Sequence, residues 1–312
     1  MPCMDDVKLQ FEGTSDVRSV SARRIPSQLE VGEGPRWDPH LQEWTCIDIS
    51  TGGFFVGLES GSPAVTFPAP LGCTARHVSG AVLGACRDGL YSWDGITPPA
   101  KFAHLPTPLK QLNDGRCDAM GRWWIGGVGL GDDDGCLMRL DLDGSLEVVA
   151  GGYALPNGID WFAEAGVMLH ADSYSRRIFA YDFDLESGCV ENRRVWWQGT
   201  KDDGLPDGLC IADDGTVWVA FWGGHVVRQL DSTGSTIREL RTPMSQPSSV
   251  TFGGPSGSQM FITSAWADLE PSERAEQPWA GDGMVIEGLG RSNGDADCLV
   301  PITALSSSRL DG

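Results

Sequence analysis

Apolar residues along this chain fall in short runs rich in Val, Ile, Trp and Phe, separated by turns containing Gly and Asp. Helical periodicity is almost absent. The runs EWTCIDIS, GAVLGACRDGLYSWDG, GRWWIGGVGL, GVMLHADS, GTVWVAFWGG and SQMFITSA each predict a buried strand entered through a turn. They begin near Gln42, Gly80, Gly121, Gly166, Gly215 and Gly257, a spacing of roughly 40–50 residues. Six units at that period predict an all-β fold, a six-bladed β-propeller with four-stranded blades. It would occupy residues 1–312 as a single domain, with a core over about 20–300 and short flexible termini. A sandwich or barrel would show turns every ~8–12 residues without the longer period.

A second periodicity lies just upstream of these runs. Four tetrads, Glu33-Gly-Pro-Arg, Asn113-Asp-Gly-Arg, Asn157-Gly-Ile-Asp and Asp207-Gly-Leu-Cys, each begin with a carboxylate or an amide. Eleven residues after each leading residue comes a large apolar one: Trp44, Trp124, Met168 and Trp218. Asn157 and Asp207 also sit in matched Pro-x-Gly triplets. Equal offsets put these four side chains at equivalent places in four repeats, where the innermost strands of a propeller converge on its axis. Glu33, Asn157 and Asp207 would then present two carboxylates and an amide carbonyl. Such hard oxygen donors, with no Cys or His, favour Ca²⁺, Mg²⁺ or Mn²⁺. The competing reading is that each residue satisfies a Gly-rich turn, as Asn and Asp commonly do.

Composition narrows the function classes. Of 312 residues, 23 are Lys or Arg and 43 are Asp or Glu, a formal charge of −20, which disfavours nucleic acid and anionic membranes as partners. No basic-then-apolar leader opens the chain, and no apolar run approaches the ~18 residues of a membrane span. Nine cysteines at scattered spacings include no C-x-x-C, so a thiolate metal site or disulfide framework is not expected. A soluble, cytoplasmic protein acting on a small molecule, monomeric or weakly homo-oligomeric, is the expectation.

Other motifs carry less. Asp132, Asp133 and Asp134 lack the alternating ligands of a calcium loop and read as a solvated turn. The five histidines show no paired spacing, GPSGS at Gly254 is not a nucleophile elbow, and GGVGLG at Gly126 has no Lys or strand–helix unit for phosphate. Trp44, Trp124 and Trp218 read as core. Trp222 and Trp266, near strand ends, are candidates for a pocket wall.

The stretches VGEGPRWD, LNDGRCDAMGRWWIGG, PNGIDW with HADSYSRRIFAYDFD, PDGLCIADDGTVWVAFWGGHVVRQLDSTG, and ERAEQPWAGDGMV resemble, in order, the senescence marker protein/gluconolactonase family that includes regucalcin. The resemblance runs from about residue 30 to 285. It implies a six-bladed propeller with one divalent metal at the channel mouth and hydrolysis of an intramolecular ester, usually an aldonolactone. The ion is Ca²⁺ by preference, with Mn²⁺, Mg²⁺, Zn²⁺ or Fe²⁺ also compatible. It further implies that Glu33, Asn157 and Asp207 are metal ligands, that Asp207 is the catalytic acid/base, and that Asn113 orients substrate or water. Two positions depart from the pattern. Gln111 stands where an Arg is expected, and about Gly131 where a sugar-binding Glu is expected, so Gln111, Asn113 and Trp222 would bind a substrate other than a standard aldonolactone. Alternatives are another Lewis-acid reaction at the same site (dehydration, isomerisation, condensation or phosphotriester hydrolysis) and a non-catalytic binding propeller.

Overall fold

A computed structural model describes residues 6–13, 16–57, 61–294 and 299–301. The N-terminal hairpin is β1 (Asp6–Gly13) and β2 (Val17–Ile25). A first four-stranded sheet follows, β3 (Gly32–Asp38), β4 (Glu43–Asp48), β5 (Gly53–Val56) and β6 (Val65–Thr66). The second is β7 (Leu71–Arg76), β8 (Val82–Cys86), β9 (Gly89–Trp93) and β10 (Ala100–Ala103). The third is β11 (Gln111–Cys117), β12 (Trp123–Val128), β13 (Gly135–Leu140) and β14 (Leu146–Tyr153). The fourth is β15 (Pro156–Phe162), β16 (Val167–Asp172), β17 (Arg177–Asp184) and β18 (Cys189–Gln198). Then come β19 (Leu205–Ile211), β20 (Val217–Trp222), β21 (Val226–Leu230) and β22 (Thr236–Arg241). Last are β23 (Pro247–Gly253), β24 (Gln259–Ser264), the short helix α1 (Pro271–Glu276) and β25 (Gly283–Glu287).

The fold is an all-β propeller, but the expected set of six four-stranded blades is not what the chain forms. The described strands make four four-stranded blades and one continuous nine-stranded sheet, ordered β19-β20-β21-β22-β1-β2-β25-β24-β23. The N-terminal hairpin is the reason. Its β1 pairs with the edge strand β22, Phe11 opposite Leu240, while β2 pairs with β25, Ala22 opposite Ile286. An edge that would otherwise expose unpaired backbone groups is thereby consumed. Short strands with Gly turns marked the repeats in the sequence, but this pairing between chain ends leaves no local pattern.

The first strands of the sheets pack side by side: β3 against β7, β7 against β11, β11 against β15, β15 against β19, β19 against β23, and β23 back against β3. Between the sheets lies the apolar core. Trp44, Trp124, Met168 and Trp218, the four residues at equal offset, are all buried there. Trp218 stacks on Phe11 at 5.7 Å, so the hairpin is held by packing as well as by its ladder. None of the seven cysteines among the described residues forms a disulfide with another. No helix among the described residues is long and apolar enough to cross a membrane.

The core also holds a buried histidine. His170 on β16 is fully buried, edge-on to Tyr153 at 4.6 Å, with neither ring nitrogen hydrogen-bonded. Burial, reinforced by the Arg193 cation, lowers its pKa to about 3. Between that value and the ordinary 6.5 of histidine, the unfolded chain holds a proton that the folded one does not. The contribution of His170 to stability is therefore full above pH ~6.5 and falls as the pH drops toward 3, by up to ~1.4 kcal/mol per pH unit. The variant His170→Phe removes this term, and acid unfolding followed by circular dichroism will show its midpoint displaced to lower pH.

Candidate active site

Each first strand carries a register irregularity near its start. The ladder shifts between Glu33 and Arg36, Leu71 and Cys73, Leu112 and Gly115, Pro156 and Ile159, Pro206 and Leu209, and Pro247 and Ser249. A bulge bends the strand and re-aims the side chains it contains. Asn113, Asn157 and Asp207 all fall inside these shifts, and Glu33 sits at the edge of one. The repeat register read from the sequence is therefore a register of bulges.

Glycine lets the bulged strands close on one another. A methyl group on Gly158 would lie 2.5 Å from the Asp207 carbonyl oxygen and 2.6 Å from the Leu209 nitrogen. One on Gly208 would lie 2.4 Å from Ser249 Cβ. The glycines after Asn157 and Asp207 thus serve close approach between neighbouring strands, since no left-handed backbone is involved there, whereas Gly34 after Glu33 takes a φ of 54°.

Buried aspartates fix the approach to two of these strands. Asp48, ending β4, accepts from the N–H groups of Glu30 (3.1 Å) and Val31 (3.3 Å), just before Glu33. Asp172, ending β16, accepts from Ala154 (3.1 Å) and Leu155 (2.8 Å), just before Asn157. The same device in two repeats holds the chain entering the site.

Glu33, Asn113, Asn157 and Asp207 are all buried and all line one cleft of about 430 Å³. Gln111 and Trp222 line it too, so the structure brings every candidate site residue together. Trp266 packs behind the wall instead, under the Arg274 guanidinium at 3.9 Å. About Gly131, the Asp132–Asp134 turn folds on itself and contributes nothing to the lining. The sequence reading missed Ser173, Tyr174, Leu205, Glu30 and Asp268, which also line the cleft. Ser173 falls sixteen residues after Asn157, as the cleft residue Ile49 falls sixteen after Glu33, so the same repeat arithmetic carried one step further would have found it.

Hydrogen bonds orient the two amides. The Asn113 amide donates to the Pro156 carbonyl at 2.9 Å, joining β11 to β15. The Asn157 amide donates to Ser173 Oγ at 3.1 Å, and Ser173 in turn donates to the Pro206 carbonyl at 2.7 Å. With its nitrogen committed, Asn157 leaves Oδ1 buried without a partner, and Asp207 Oδ1 is likewise unpartnered. Buried acceptors left unbonded are costly.

Charge adds to that cost. The pKa of Glu33 is raised well above the carboxylate range by burial, then by the neighbouring charges of Asp207 and Asp114. That of Asp207 is raised by burial and by Asp114, against the lowering effect of Asn157 and the Gly208 N–H. Asp114 lines a narrow axial hollow of about 30 Å³ together with Arg36 and Arg116. Both cations work against the burial that raises the Asp114 pKa, while Arg36 also donates to the Gly115 carbonyl at 2.8 Å and Arg116 pairs with Asp160 at 3.2 Å. Four carboxylates, Glu30, Glu33, Asp207 and Asp268, line the cleft with the Asn157 amide oxygen, and no cationic side chain among the described residues joins them. This donor set fits a hard divalent cation: all ligating atoms are oxygens and the charge is uncompensated. Among the described residues no cluster of three or more His, Cys, Asp and Glu side chains forms a metal site, so Asn157 is needed to complete the set.

Residues 31–266 match the family model described as the SMP-30/Gluconolactonase/LRE-like region. The chain belongs to this family. Regucalcin of Danio rerio is 31% identical over 278 residues, 85% of this chain and 93% of its own. The crystal structure of a regucalcin from Agrobacterium tumefaciens, described as a calcium-binding protein, superposes with a TM-score of 0.80 at 25% identity, over 90% of this chain and 97% of that one. A gluconolactonase from Xanthomonas campestris shares the fold with a TM-score of 0.71 at 19% identity, over 91% and 96% of the two chains. Family membership supports a lactone-opening hydrolase.

Two variants test the geometry and charge of the site. Gly158→Ala places a methyl against two backbone atoms that cannot rotate away and will cost at least ~1–3 kcal/mol, read by urea unfolding. Asp207→Asn removes a like charge and, in chelator-treated protein at neutral pH, will raise the thermal midpoint by ~2–5 °C.

Proposed function

We propose that the protein is a divalent-metal-dependent hydrolase that opens a lactone to a hydroxy acid. The observation that carries this reading is the set of oxygens in the cleft: Glu33, Asn157 and Asp207 present buried acceptors, two of them unpartnered, that a hard cation would satisfy. The names of the calcium-binding regucalcin and the gluconolactonase support the same reading.

Glu33, Asn157 and Asp207 would hold the ion, Ca²⁺ by preference. When bound there, such an ion stabilises the negative charge that grows on the lactone carbonyl oxygen as water adds. Asp207 takes the proton of the attacking water and returns one to the ring oxygen as the acyl C–O bond breaks. Asn113, tied to the Pro156 carbonyl, orients the reacting water or ring. Burial away from bulk water strengthens each of these electrostatic effects.

The substrate is not a standard aldonolactone. A site built to bond many sugar hydroxyls needs charged donors and acceptors beyond the metal. Here the cleft offers Gln111, Ser50, Tyr174 and the carboxylates of Glu30 and Asp268 but no charged donor among the described residues, while Ser173 and the Asn113 amide are committed to the backbone.

The test is acid release from a panel of lactones by metal-stripped protein reloaded with Ca²⁺, Mg²⁺, Mn²⁺, Zn²⁺ or Fe²⁺. Turnover will depend on the added metal, and Asp207→Asn will lower kcat by ~100-fold or more. Full turnover in the stripped protein or in Asp207→Asn would remove this mechanism.

A further inference from the structure

The far wall of the cleft carries two carboxylates that the mechanism does not use. Glu30 precedes β3, and Asp268 lies on the segment between β24 and α1. The backbone stitches these segments together. The N–H groups of Trp266 and Ala267 both donate to the Glu30 carbonyl, at 3.1 and 3.0 Å, and Val31 bridges to Ala265. Trp266 Nε1 donates to the Gln28 carbonyl at 3.2 Å, and the Arg274 guanidinium covers the indole. Glu30 and Asp268 therefore stand on one fixed wall. Neither side chain enters an ion pair or hydrogen bond among the described residues. Opposite them stand the apolar and aromatic Leu155, Leu205, Tyr174 and Trp222, and no Lys, Arg or His among the described residues lines the cleft.

Building on the lactonase reading, we propose that Glu30 and Asp268 are specificity determinants: the cleft selects lactones that carry an apolar or aromatic substituent and no negative charge. The Glu33 and Asp207 charges would be balanced by the ion that their unpartnered neighbours call for. Glu30 and Asp268 are not balanced, so they set the sign of the field that an entering ligand meets. An anionic lactone, bearing a phosphate or carboxylate, meets two like charges at the wall and no cationic side chain among the described residues to receive it. A neutral ring avoids that repulsion and lays its substituent on Trp222 and Tyr174. The same pair acts on the product. Water adds its oxygen to the acyl carbon, the ring C–O bond breaks, the ring oxygen keeps a proton, and the new acid ionises to solvent. A neutral substrate thus becomes an anion inside an acidic cleft, which speeds its departure.

The experiment compares two γ-lactones on the metal-loaded full chain at low ionic strength, one bearing a phenyl and the other a carboxylate on the same carbon. The anionic ring will show kcat/KM at least tenfold lower. In the double variant Glu30→Gln, Asp268→Asn the anionic-to-neutral ratio will rise at least fivefold, and added salt will raise it in the wild type. An unchanged ratio in the double variant, or equal turnover of the two rings in the wild type, overturns the proposal. If neither ring is opened, the hydrolase reading fails by itself, and charge selection is decided by calorimetric titration of the matching lactams. Weaker binding of the anionic lactam, relieved in the double variant, upholds selection, and equal binding refutes it.

Discussion

Carboxylates gathered in a buried cleft without a counter-charge are the constraint on which this structure turns. Glu33 and Asp207 repel each other, and Asp114 below them repels both, so each resists ionisation. Protein cores tolerate buried charge when it is paired or coordinates a metal. The side-chain cations nearest the axis, Arg36 and Arg116, act on Asp114 while also bonding a carbonyl and Asp160. Protonation relieves part of the charge on Glu33 and Asp207, and a hard cation from solution is the means of balance we propose.

Holding these groups together requires a particular backbone. The first strands must bulge at one level so that their side chains reach the axis, and they must approach closely enough to share it. Gly158 and Gly208 meet the second condition because any side chain there would strike the neighbouring strand. Asp48 and Asp172 meet a third, fixing the entering loops through their N–H groups. The strain of the site is thus carried by a rigid scaffold, as preorganised electrostatic catalysis requires.

Much of this was legible in the sequence because it is periodic. The leading residues of the four tetrads and the apolar residues eleven positions later are locked to the same bulge and the same core layer, so counting recovered both. The nine-stranded sheet was not legible. The pairing of Phe11 with Leu240 joins residues more than two hundred positions apart, and a strand edge does not announce its partner in its own composition. Nor were Glu30 and Asp268 legible, since they lie on irregular segments outside the repeat register. Gln111 and Trp222, named from the family pattern and a strand-end position, line the cleft with Leu155, Leu205 and Tyr174.

Calorimetric titration of metal-stripped protein with Ca²⁺ tests the central claim most directly, because it needs no knowledge of the substrate. The account predicts saturable binding at one site per chain, lost in Glu33→Gln, Asp207→Asn protein that remains folded by circular dichroism. Absence of saturable binding by Ca²⁺, Mg²⁺ or Mn²⁺ in the wild type, or unaltered binding in the double variant, would contradict it.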